Sequence, residues 1–358
     1  MAAYESFRNL LFRLDPERAH DLTIGVLRPL PAPKLVQQDR ALSVVVAGIA
    51  FPTPLGLAAG FDKNAKAPGR MLGYGFGSVE VGTVTPLPQP GNEPPRLFRL
   101  VEDEAIINRF GFNSDGIEAV KRRLSKRRDR NRPGIVGVNV GANKQSVDKI
   151  ADYVEGVRQL GPFADYLTIN ISSPNTPGVR TLQSEEHLST LIGRVLDARR
   201  AVDGPPVFLK VSPDLSENDI AQVARMSVVG GVDGLIVGNT TVSRPPTLQS
   251  EYKGEVGGLS GQPLKDLAVR TLKAFRAEVG ERVSLIGVGG IFTADDAYDR
   301  IKAGASLVQL YTALPYRGPG LVAEINRGLL LRLRADGYTS ISEAIGADDV
   351  HHRHTAAA

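Results

Sequence analysis

The residues best suited to chemistry in this sequence lie in the loop 170–175, which reads NISSPN. Its two asparagines, Asn170 and Asn175, carry amides that donate and accept hydrogen bonds together, which suits a flat ring bearing both C=O and N–H groups. Further asparagines that follow apolar runs are Asn108, Asn113, Asn139 and Asn239. We therefore expect a small polar ring as the ligand.

Ser173 is the best candidate for a general base in these motifs. A serine hydroxyl ionises far above neutral pH, so it can act as a base only when it is desolvated, hydrogen-bonded and matched to an acidic carbon. A positioned base typically contributes about 10²–10⁴ in rate. Pro174 and Pro177 stiffen the loop. The alternative is that Ser172 and Ser173 form a turn before proline, and the residues alone leave both interpretations open.

Two lysines, a glycine pair and a Tyr-Thr pair are the remaining candidate site residues. Lys63 and Lys210 could meet a carboxylate or offset charge that develops on a reduced or enolate-like ring. Gly289-Gly290 and Tyr311-Thr312 are placed like a barrel's phosphate site, where glycine lets backbone N–H groups approach an anion. We predict a phosphorylated ligand, either a sugar phosphate or a phosphate-bearing cofactor.

Eight short runs rich in Val and Ile must position these residues, and segments of helical period lie between them. The runs are 55–59, 78–82, 135–140, 166–171, 207–211, 235–237, 284–288 and 307–310. The clearest helical segments are 147–160, 186–202, 218–229, 264–279 and 294–303. Apolar strands that alternate with amphipathic helices predict a parallel (β/α)₈ barrel, with a doubly wound open sheet as the alternative.

The polar residues above all come where a predicted strand ends, which is the active-site face of a barrel. The competing interpretation is that Asn and Thr cap the following helices, but capping does not account for two lysines. The longest insertion, 84–113, follows the second strand and contains a predicted hairpin at 96–107. A loop of this length suggests a lid or a binding wall.

Composition narrows the possible functions. The chain has 358 residues, a formal charge of +4 and no cysteine, which excludes disulfides, thiolate metal sites and cysteine nucleophiles. Three of its five histidines lie in the tail (His351, His352, His354), and the others lack metal-ligand spacing, so we predict no metal. The basic run 121–130 has no interleaved aromatic residues and is interpreted as the solvated face of a helix, not as a nucleic-acid site.

The uncharged stretch 41–61 is long enough to span a bilayer. Pro52 and Pro54 interrupt it, and the residues before them are β-branched, so a strand pair leading into the barrel is the better prediction. The N-terminus has no features of a signal peptide.

Long motifs across nearly the whole chain resemble the dihydroorotate dehydrogenase family. They are AGFDKN (59–64), EVGTVTP (80–86), PRLFRL (95–100), NRFGFN (108–113), NISSPNTPG (170–178), GGLSG (257–261) and GVGGI (287–291). The resemblance implies a (β/α)₈ barrel that carries flavin mononucleotide (FMN). It also implies oxidation of (S)-dihydroorotate to orotate in de novo pyrimidine biosynthesis.

The same resemblance assigns roles by position. Residues implied to hold the flavin are Ala59, Gly60, Phe61, Asp62, Lys63, Thr83, Asn139, Asn170, Lys210, Gly238, Gly261, Gly290, Tyr311 and Thr312. Residues implied to hold dihydroorotate are Lys63, Asn108, Arg109, Phe110, Gly111, Phe112, Asn170, Asn175, Asn239 and Thr240. Ser173 is implied to take the proton from C5 while hydride leaves C6 for flavin N5, and Lys210 to stabilise the reduced flavin. Gly238 departs from the family pattern, which usually has threonine there, so only a backbone contact could survive.

Two features indicate the quinone-linked class of this family. The soluble class resembles this core but has cysteine as the base, where this chain has Ser173. About forty residues precede the barrel and predict two helices, 4–14 and 16–30, the second capped by Asp15 with Pro16 in its first turn. Apolar residues share a face of each helix, with arginines among them: Phe7, Leu10, Leu11 and Leu14; Leu22 and Val26; Arg8, Arg13, Arg18 and Arg28.

Such a pair could simply pack on the barrel, but the resemblance favours a membrane anchor and a mouth for a ubiquinone or menaquinone. The expected organisation is therefore a membrane- and quinone-access extension (1–40), an FMN-binding barrel (41–336) and a C-terminal tail without an assigned role (337–358). We expect a monomer at the cytoplasmic face of a bacterial cell membrane. The alternatives are a soluble flavin barrel that reduces fumarate or a nicotinamide, and a non-catalytic phosphate-binding scaffold.

Overall fold

The computed structural model describes residues 2–30, 33–130, 132–176 and 178–349. Pro177 and the three tail histidines singled out above lie outside these ranges. The strands, in chain order, are β1 (Val44–Val46), β2 (Ile49–Phe51), β3 (Leu55–Leu57), β4 (Ser78–Val84), β5 (Leu97–Leu100), β6 (Ala105–Asn108), β7 (Ile135–Val140), β8 (Tyr166–Asn170), β9 (Val207–Val211), β10 (Gly234–Val237), β11 (Gly258–Gly261), β12 (Ser284–Val288) and β13 (Ala305–Leu310).

Eight of these strands close into a barrel in the order β3-β4-β7-β8-β9-β10-β12-β13. Every neighbouring pair in the barrel is parallel. Strands such as β4 and β9 are buried along their whole length, as expected for a sheet covered by helices. The predicted (β/α)₈ barrel is confirmed.

Helices cover the barrel and precede it. They are α1 (Ala2–Leu11), α2 (Pro16–Leu27), α3 (Pro68–Leu72), α4 (Ile117–Asp129), α5 (Lys149–Leu160), α6 (Glu185–Ala201), α7 (Glu217–Gly230), α8 (Lys265–Val279), α9 (Ala294–Lys302), α10 (Ala313–Arg317) and α11 (Leu321–Ala335). Helices α5, α7 and α9 begin at the capping side chains of Asp148, Ser216 and Thr293. These caps are not the strand-end asparagines, so the capping interpretation of those asparagines is wrong for the described helices.

The predicted strand pair in 41–61 is the antiparallel hairpin β1–β2, followed by the first barrel strand β3. The hairpin in the long insertion is β5–β6, and β11 adds a third antiparallel strand that the sequence did not reveal. A small apolar core supports this sheet, including Phe98, Ile107 and Leu259. Tyr316 ties it to the barrel by donating its hydroxyl to the Ala105 carbonyl (2.7 Å).

Helices α1 and α2 end three residues earlier than predicted, and the predicted cap is present, since the Asp15 carboxylate accepts from the backbone of Glu17 and Arg18. Both helices contact the same face of the barrel. The Arg96 guanidinium pairs with Glu17 (2.6 Å), and Arg99 donates to the Phe12 carbonyl (3.0 Å). Within the described part of the chain, no helix is both long and apolar enough to cross a membrane.

Two surface segments make internal contacts that the sequence did not indicate. The run 121–130 is not simply solvated, because Lys121 bonds Gln159, Arg123 pairs with Asp115, and Arg127 donates to the Gly134 carbonyl. The described part of the C-terminal tail packs back on the barrel. Its residues Ile341 and Ala344 are buried, and Arg276 pairs with Asp349 at 2.8 Å.

Candidate active site

A cavity lies at the carboxyl ends of the barrel strands, beside the β5–β6–β11 sheet, and most predicted site residues line it. These are Ala59, Gly60, Lys63, Thr83, Asn108, Phe110, Gly111, Phe112, Asn170, Ser173, Asn175, Lys210, Asn239, Thr240, Gly261, Gly290, Tyr311 and Thr312. They come from many segments of the chain, and the barrel brings them together because parallel strands all end on one face.

A buried hydrogen-bond network joins the strand-end amides. The side-chain oxygen of Asn139 accepts from the Thr83 hydroxyl (2.6 Å) and from the side-chain amide of Asn170 (3.2 Å). The Asn170 oxygen accepts from the Ser172 hydroxyl (2.8 Å), which in turn accepts from the Asn239 amide (2.7 Å). Each side chain is thereby held in one orientation, so the rim presents a fixed pattern of donors and acceptors.

Glu80 lies below this network and was not predicted as a site residue. Its fully buried carboxylate accepts from the Asn139 amide (2.8 Å), the Gln309 amide (2.9 Å) and the Tyr166 hydroxyl (3.3 Å). Burial, reinforced by Glu80, holds the pKa of Tyr166 well above its usual value, so this hydroxyl stays protonated and donates. The sequence does contain one indication that Glu80 has a role in the site: it is a carboxylate in the middle of an apolar strand.

The two serines of the NISSPN loop differ in their partners. Ser172 is committed to the asparagine network, whereas the Ser173 hydroxyl accepts only a long bond from the backbone N–H of Asn175 (3.3 Å) among the described residues. The turn considered from the sequence is therefore present. It uses a lone pair of Ser173 but not its proton, and Ser173 lines the cavity at 6% exposure. The turn and the role as a base are geometrically compatible.

Two buried lysines give the cavity positive charge. Burial lowers the pKa of Lys63 to about 8, and its ammonium lies 3.7 Å from the ring centre of Phe110. Burial also lowers the pKa of Lys210, an effect that Glu80 opposes. Neither lysine forms a salt bridge to a carboxylate in the described ranges. Desolvated cations without an acidic partner indicate an anionic or electron-rich ligand.

The glycine segments form a tight loop beside the cavity. Gly290 adopts a φ of +67°, and a Cβ there would lie 2.4 Å from the Lys265 Cα, so a side chain is excluded. The Thr312 hydroxyl donates to Ser260 (2.8 Å) and does not cap α10, which leaves that helix start without a side-chain partner. Both features fit the predicted phosphate site.

A buried arginine holds this loop from behind. Arg300 in α9 is fully buried, and its Nη2 donates to the carbonyls of Gly289 and Lys265, both at 2.9 Å. Burial lowers its pKa to about 10, so the guanidinium stays charged at neutral pH. This role could not be predicted from the sequence, because an arginine in a polar helix resembles a solvent-facing residue.

Five predicted residues do not line the cavity: Phe61, Asp62, Arg109, Asn139 and Gly238. The Asp62 carboxylate accepts from the backbone of Lys66 (2.8 Å) and Ala67 (2.7 Å), so it shapes the loop after β3. Asn139 acts through the network above. The Arg109 side chain pairs with Glu255 (2.7 Å) on the far side of the hairpin, which leaves its backbone as the part nearest the site.

The backbone at Gly238, where the family pattern usually has threonine, does not suit a threonine side chain. Its φ is +119°, and a Cβ there would lie 2.5 Å from the Val288 carbonyl oxygen. The residue therefore has a conformation that threonine rarely adopts. No threonine-like contact exists at this position.

Helix α2 reaches the edge of the cavity through His20, which sequence reasoning missed. Its ring lies 5.6 Å from that of Phe61, and its Nδ1 lies 3.5 Å from the Tyr311 hydroxyl. Burial, aided by the charge of Lys63, lowers the pKa of His20 to about 3, so the imidazole is neutral near pH 7. The N-terminal extension is thus in direct contact with residues predicted to hold the cofactor.

Comparisons with known proteins agree with this geometry. A family profile described as Dihydroorotate dehydrogenase matches residues 41–333. Dihydroorotate dehydrogenase (quinone) of Erythrobacter litoralis is 53% identical over 345 residues, covering 96% of this chain and 99% of that protein. The protein of the same name from Novosphingobium aromaticivorans is 52% identical over 351 residues, covering 97% of this chain and 100% of that protein. The crystal structure of DHODH from Eimeria tenella in complex with ferulenol has a TM-score of 0.91 at 44% identity, covering 94% of this chain and 96% of that one.

Proposed function

Because the chain belongs to the dihydroorotate dehydrogenase family, we propose that its cavity oxidises dihydroorotate to orotate with a quinone as electron acceptor. This reaction is a step of pyrimidine biosynthesis. The observation that carries the proposal is the rim of interlocked asparagines with two buried lysines that form no salt bridge within the described part of the chain. A planar, anionic ring with C=O and N–H groups matches both features.

The enzymes of this family are flavin-dependent, and FMN is the flavin proposed for this chain. When bound, FMN accepts a hydride from dihydroorotate and passes the electrons to quinone. The glycine loop at Gly289-Gly290, with the start of α10, would hold its phosphate. Lys210 and Thr83 would contact the ring system, and Asn139 would act by orienting Thr83.

The substrate is proposed to lie between the β5–β6 hairpin and the NISSPN loop. Asn108, Asn175 and Asn239 would bond the ring, and the Lys63 ammonium would pair with the carboxylate. The Asn175 amide already donates to the Asn108 carbonyl (3.0 Å), so the hairpin and the loop are held together. This contact would help to keep water away from the bonds that are broken.

Ser173 is proposed to take the proton from C5 of dihydroorotate, and its own hydroxyl proton would pass to water in the cavity. Its hydroxyl is nearly buried and lines the cavity, and it is not bound into the asparagine network that fixes Ser172. A fixed cation in the cavity would stabilise the negative charge that develops on the substrate as C5 loses its proton, which would ease proton transfer to such a weak base.

Quinone-linked enzymes of this kind are peripheral and membrane-associated. We propose that residues 1–40 attach the protein to the cytoplasmic face of the membrane and admit the quinone, that 41–336 form the catalytic barrel, and that the protein is a monomer. The exposed apolar side chains of α1 and α2 support attachment: Phe7 (54%), Leu10 (62%), Leu22 (51%) and Val26 (55%).

Anaerobic reduction of the purified protein tests this assignment. The protein should be yellow, release FMN on denaturation, and lose its flavin absorbance when dihydroorotate is added. A colourless preparation that binds no added flavin would favour the non-catalytic scaffold.

A further inference from the structure

A cleft of about 420 Å³ lies between the end of α2 and the barrel, away from the active site. Nine cationic side chains line it, and none of its described lining residues is acidic. They come from four parts of the chain: the end of α2 (Arg28), the loop after β3 (Lys66), α3 (Arg70), and α4 with the residues after it. We call this site the basic cleft.

Helix α4 supplies a regular row of charge to the basic cleft. Arg122, Lys126 and Arg130 are exposed and spaced four residues apart, so they lie on one side of the helix. Like charges at this spacing destabilise a helix. Favourable interaction with the helix dipole can explain cations in the last turn of α4, but not Lys66 and Arg70.

Internal partners offset only part of this charge. Asp115 pairs with Arg123 (2.8 Å) and with Lys66 (3.8 Å), and Arg127 donates to the backbone carbonyls of Pro133 and Gly134. Arg28, Arg122, Lys126, Arg130 and Arg132 have no ion pair within the described ranges. The cleft therefore matches an anion with several oxygens, such as a phosphate group.

An exposed apolar row ends at the basic cleft. Leu22 (51% exposed), Val26 (55%) and Leu30 (43%) follow one another at four-residue spacing along and just beyond α2, and Leu30 itself lines the cleft. Apolar side chains beside clustered cations are the features that bind a membrane with anionic lipids. A free nucleic acid or a small anion would use the charge but not this apolar row.

We propose that the basic cleft binds the phosphate headgroups of anionic phospholipids and so fixes the orientation of the protein on the membrane. This inference rests on the membrane attachment proposed above and adds a lipid preference to it. This proposal gives the basic run 121–130 a function. Its interpretation as a solvated helix face gave it none.

Vesicle binding of the full-length, flavin-loaded protein tests the proposal. One variant carries Arg122→Gln, Lys126→Gln and Arg130→Gln. Its matched control carries Arg158→Gln, Arg270→Gln and Arg327→Gln, which remove three exposed charges from α5, α8 and α11. Neither set touches the catalytic cavity, so dihydroorotate oxidation with a soluble acceptor should be unchanged and reports on folding.

Binding is measured with phosphatidylcholine vesicles and with vesicles that also contain phosphatidylglycerol. The cleft variant should lose at least about tenfold of its affinity for the anionic vesicles, while the control loses much less. Both should bind phosphatidylcholine like the wild type, since that binding reports the apolar attachment alone. A wild-type protein that binds the anionic vesicles but not phosphatidylcholine vesicles would contradict the apolar attachment and still support the preference for anionic lipid.

Three results would overturn the proposal. An equal loss in the cleft variant and the control would show that only net charge matters, and an unchanged cleft variant would show that the cleft is not used. Wild-type protein that binds both kinds of vesicle equally, but binds glycerol phosphate or an RNA oligonucleotide through the cleft residues at matched ionic strength, would assign the cleft to a small anion or to nucleic acid.

Discussion

At the residue scale, the NISSPN loop separates two adjacent serines by their partners. Ser172 bridges Asn170 and Asn239, whereas Ser173 faces the cavity with its proton uncommitted among the described residues. This difference could not be predicted from the sequence, because it depends on which strand ends lie next to each other in the barrel.

The Ser173→Ala variant should lose about 10²–10⁴ in turnover while it retains flavin and binds orotate, because only the base is removed. Steady-state kinetics and flavin content give the measurement. Ser172→Ala is the matched comparison, and it should weaken substrate binding more than turnover because the network of Asn170 and Asn239 loosens. Near-normal turnover in Ser173→Ala would rule out its role as the base.

Lys63 should give substrate binding a pH dependence. Since burial lowers its pKa to about 8, the ammonium is lost as pH rises through that value, and KM for dihydroorotate should increase there. The Lys63→Arg variant keeps its charge to high pH, so its KM should be flatter even if it is higher throughout. A wild-type KM that stays constant through this range would contradict the pairing of Lys63 with the carboxylate.

The lowered pKa of Lys63 also makes the stability of the protein depend on pH. The pKa of Lys63 is lower in the folded protein than the ordinary value of 10.5, so between about pH 8 and 10.5 the unfolded chain binds more protons. The contribution of this residue to the free energy of unfolding therefore rises with pH across that window. Denaturant titrations of the wild type and of Lys63→Met, which lacks the titrating group, should diverge there.

The Arg300 side chain should contribute more to flavin affinity than to the stability of the flavin-free protein. Its Nη2 holds the glycine loop, while its Nε and Nη1 are buried without a hydrogen-bond partner in the described chain. Arg300→Met should therefore bind flavin roughly tenfold or more weakly, with little loss of stability in the flavin-free protein. Flavin fluorescence titration measures this, with the exposed Arg332→Met as control. Unchanged affinity would remove Arg300 from the phosphate site.

At the scale of elements, most strands and helices of the barrel could be predicted because their apolar periodicity is local. The runs that became β7 and β9 were located to the residue, and the five clearest predicted helices of the barrel shift by no more than two residues. The third strand of the small sheet, β11, was missed. Its four residues, Gly258–Gly261, contain two glycines, and they form a strand only because β6 lies beside them.

The exposed face of α2 should determine membrane attachment. Leu22→Ser with Val26→Ser removes exposed apolar area, so partition onto phosphatidylcholine vesicles should fall several-fold while oxidation of dihydroorotate by a soluble acceptor stays normal. Val229→Ser with Leu331→Ser, at exposed positions on α7 and α11, is the matched control. Equal partition of the two double variants would show that α2 is not the anchor.

At the scale of the whole molecule, the sequence placed the site at one end of a barrel but could not show how the N-terminal extension meets it. The contacts of His20 with Phe61 and of Glu17 with Arg96 join residues far apart in the chain, and no local pattern marks them. Glu80 and Arg300 were missed for the same reason, since their roles come from neighbours on other strands and loops. Such long-range pairings appear only when the barrel closes.

A comparison of electron acceptors for the purified, flavin-loaded protein tests the quinone-linked function. With dihydroorotate as the donor, a ubiquinone or menaquinone analogue should support rapid turnover, whereas fumarate and NAD⁺ should support little. Orotate should form in a one-to-one ratio with reduced quinone. Equal or faster turnover with fumarate or NAD⁺ would contradict the quinone-linked function and favour a soluble flavin barrel.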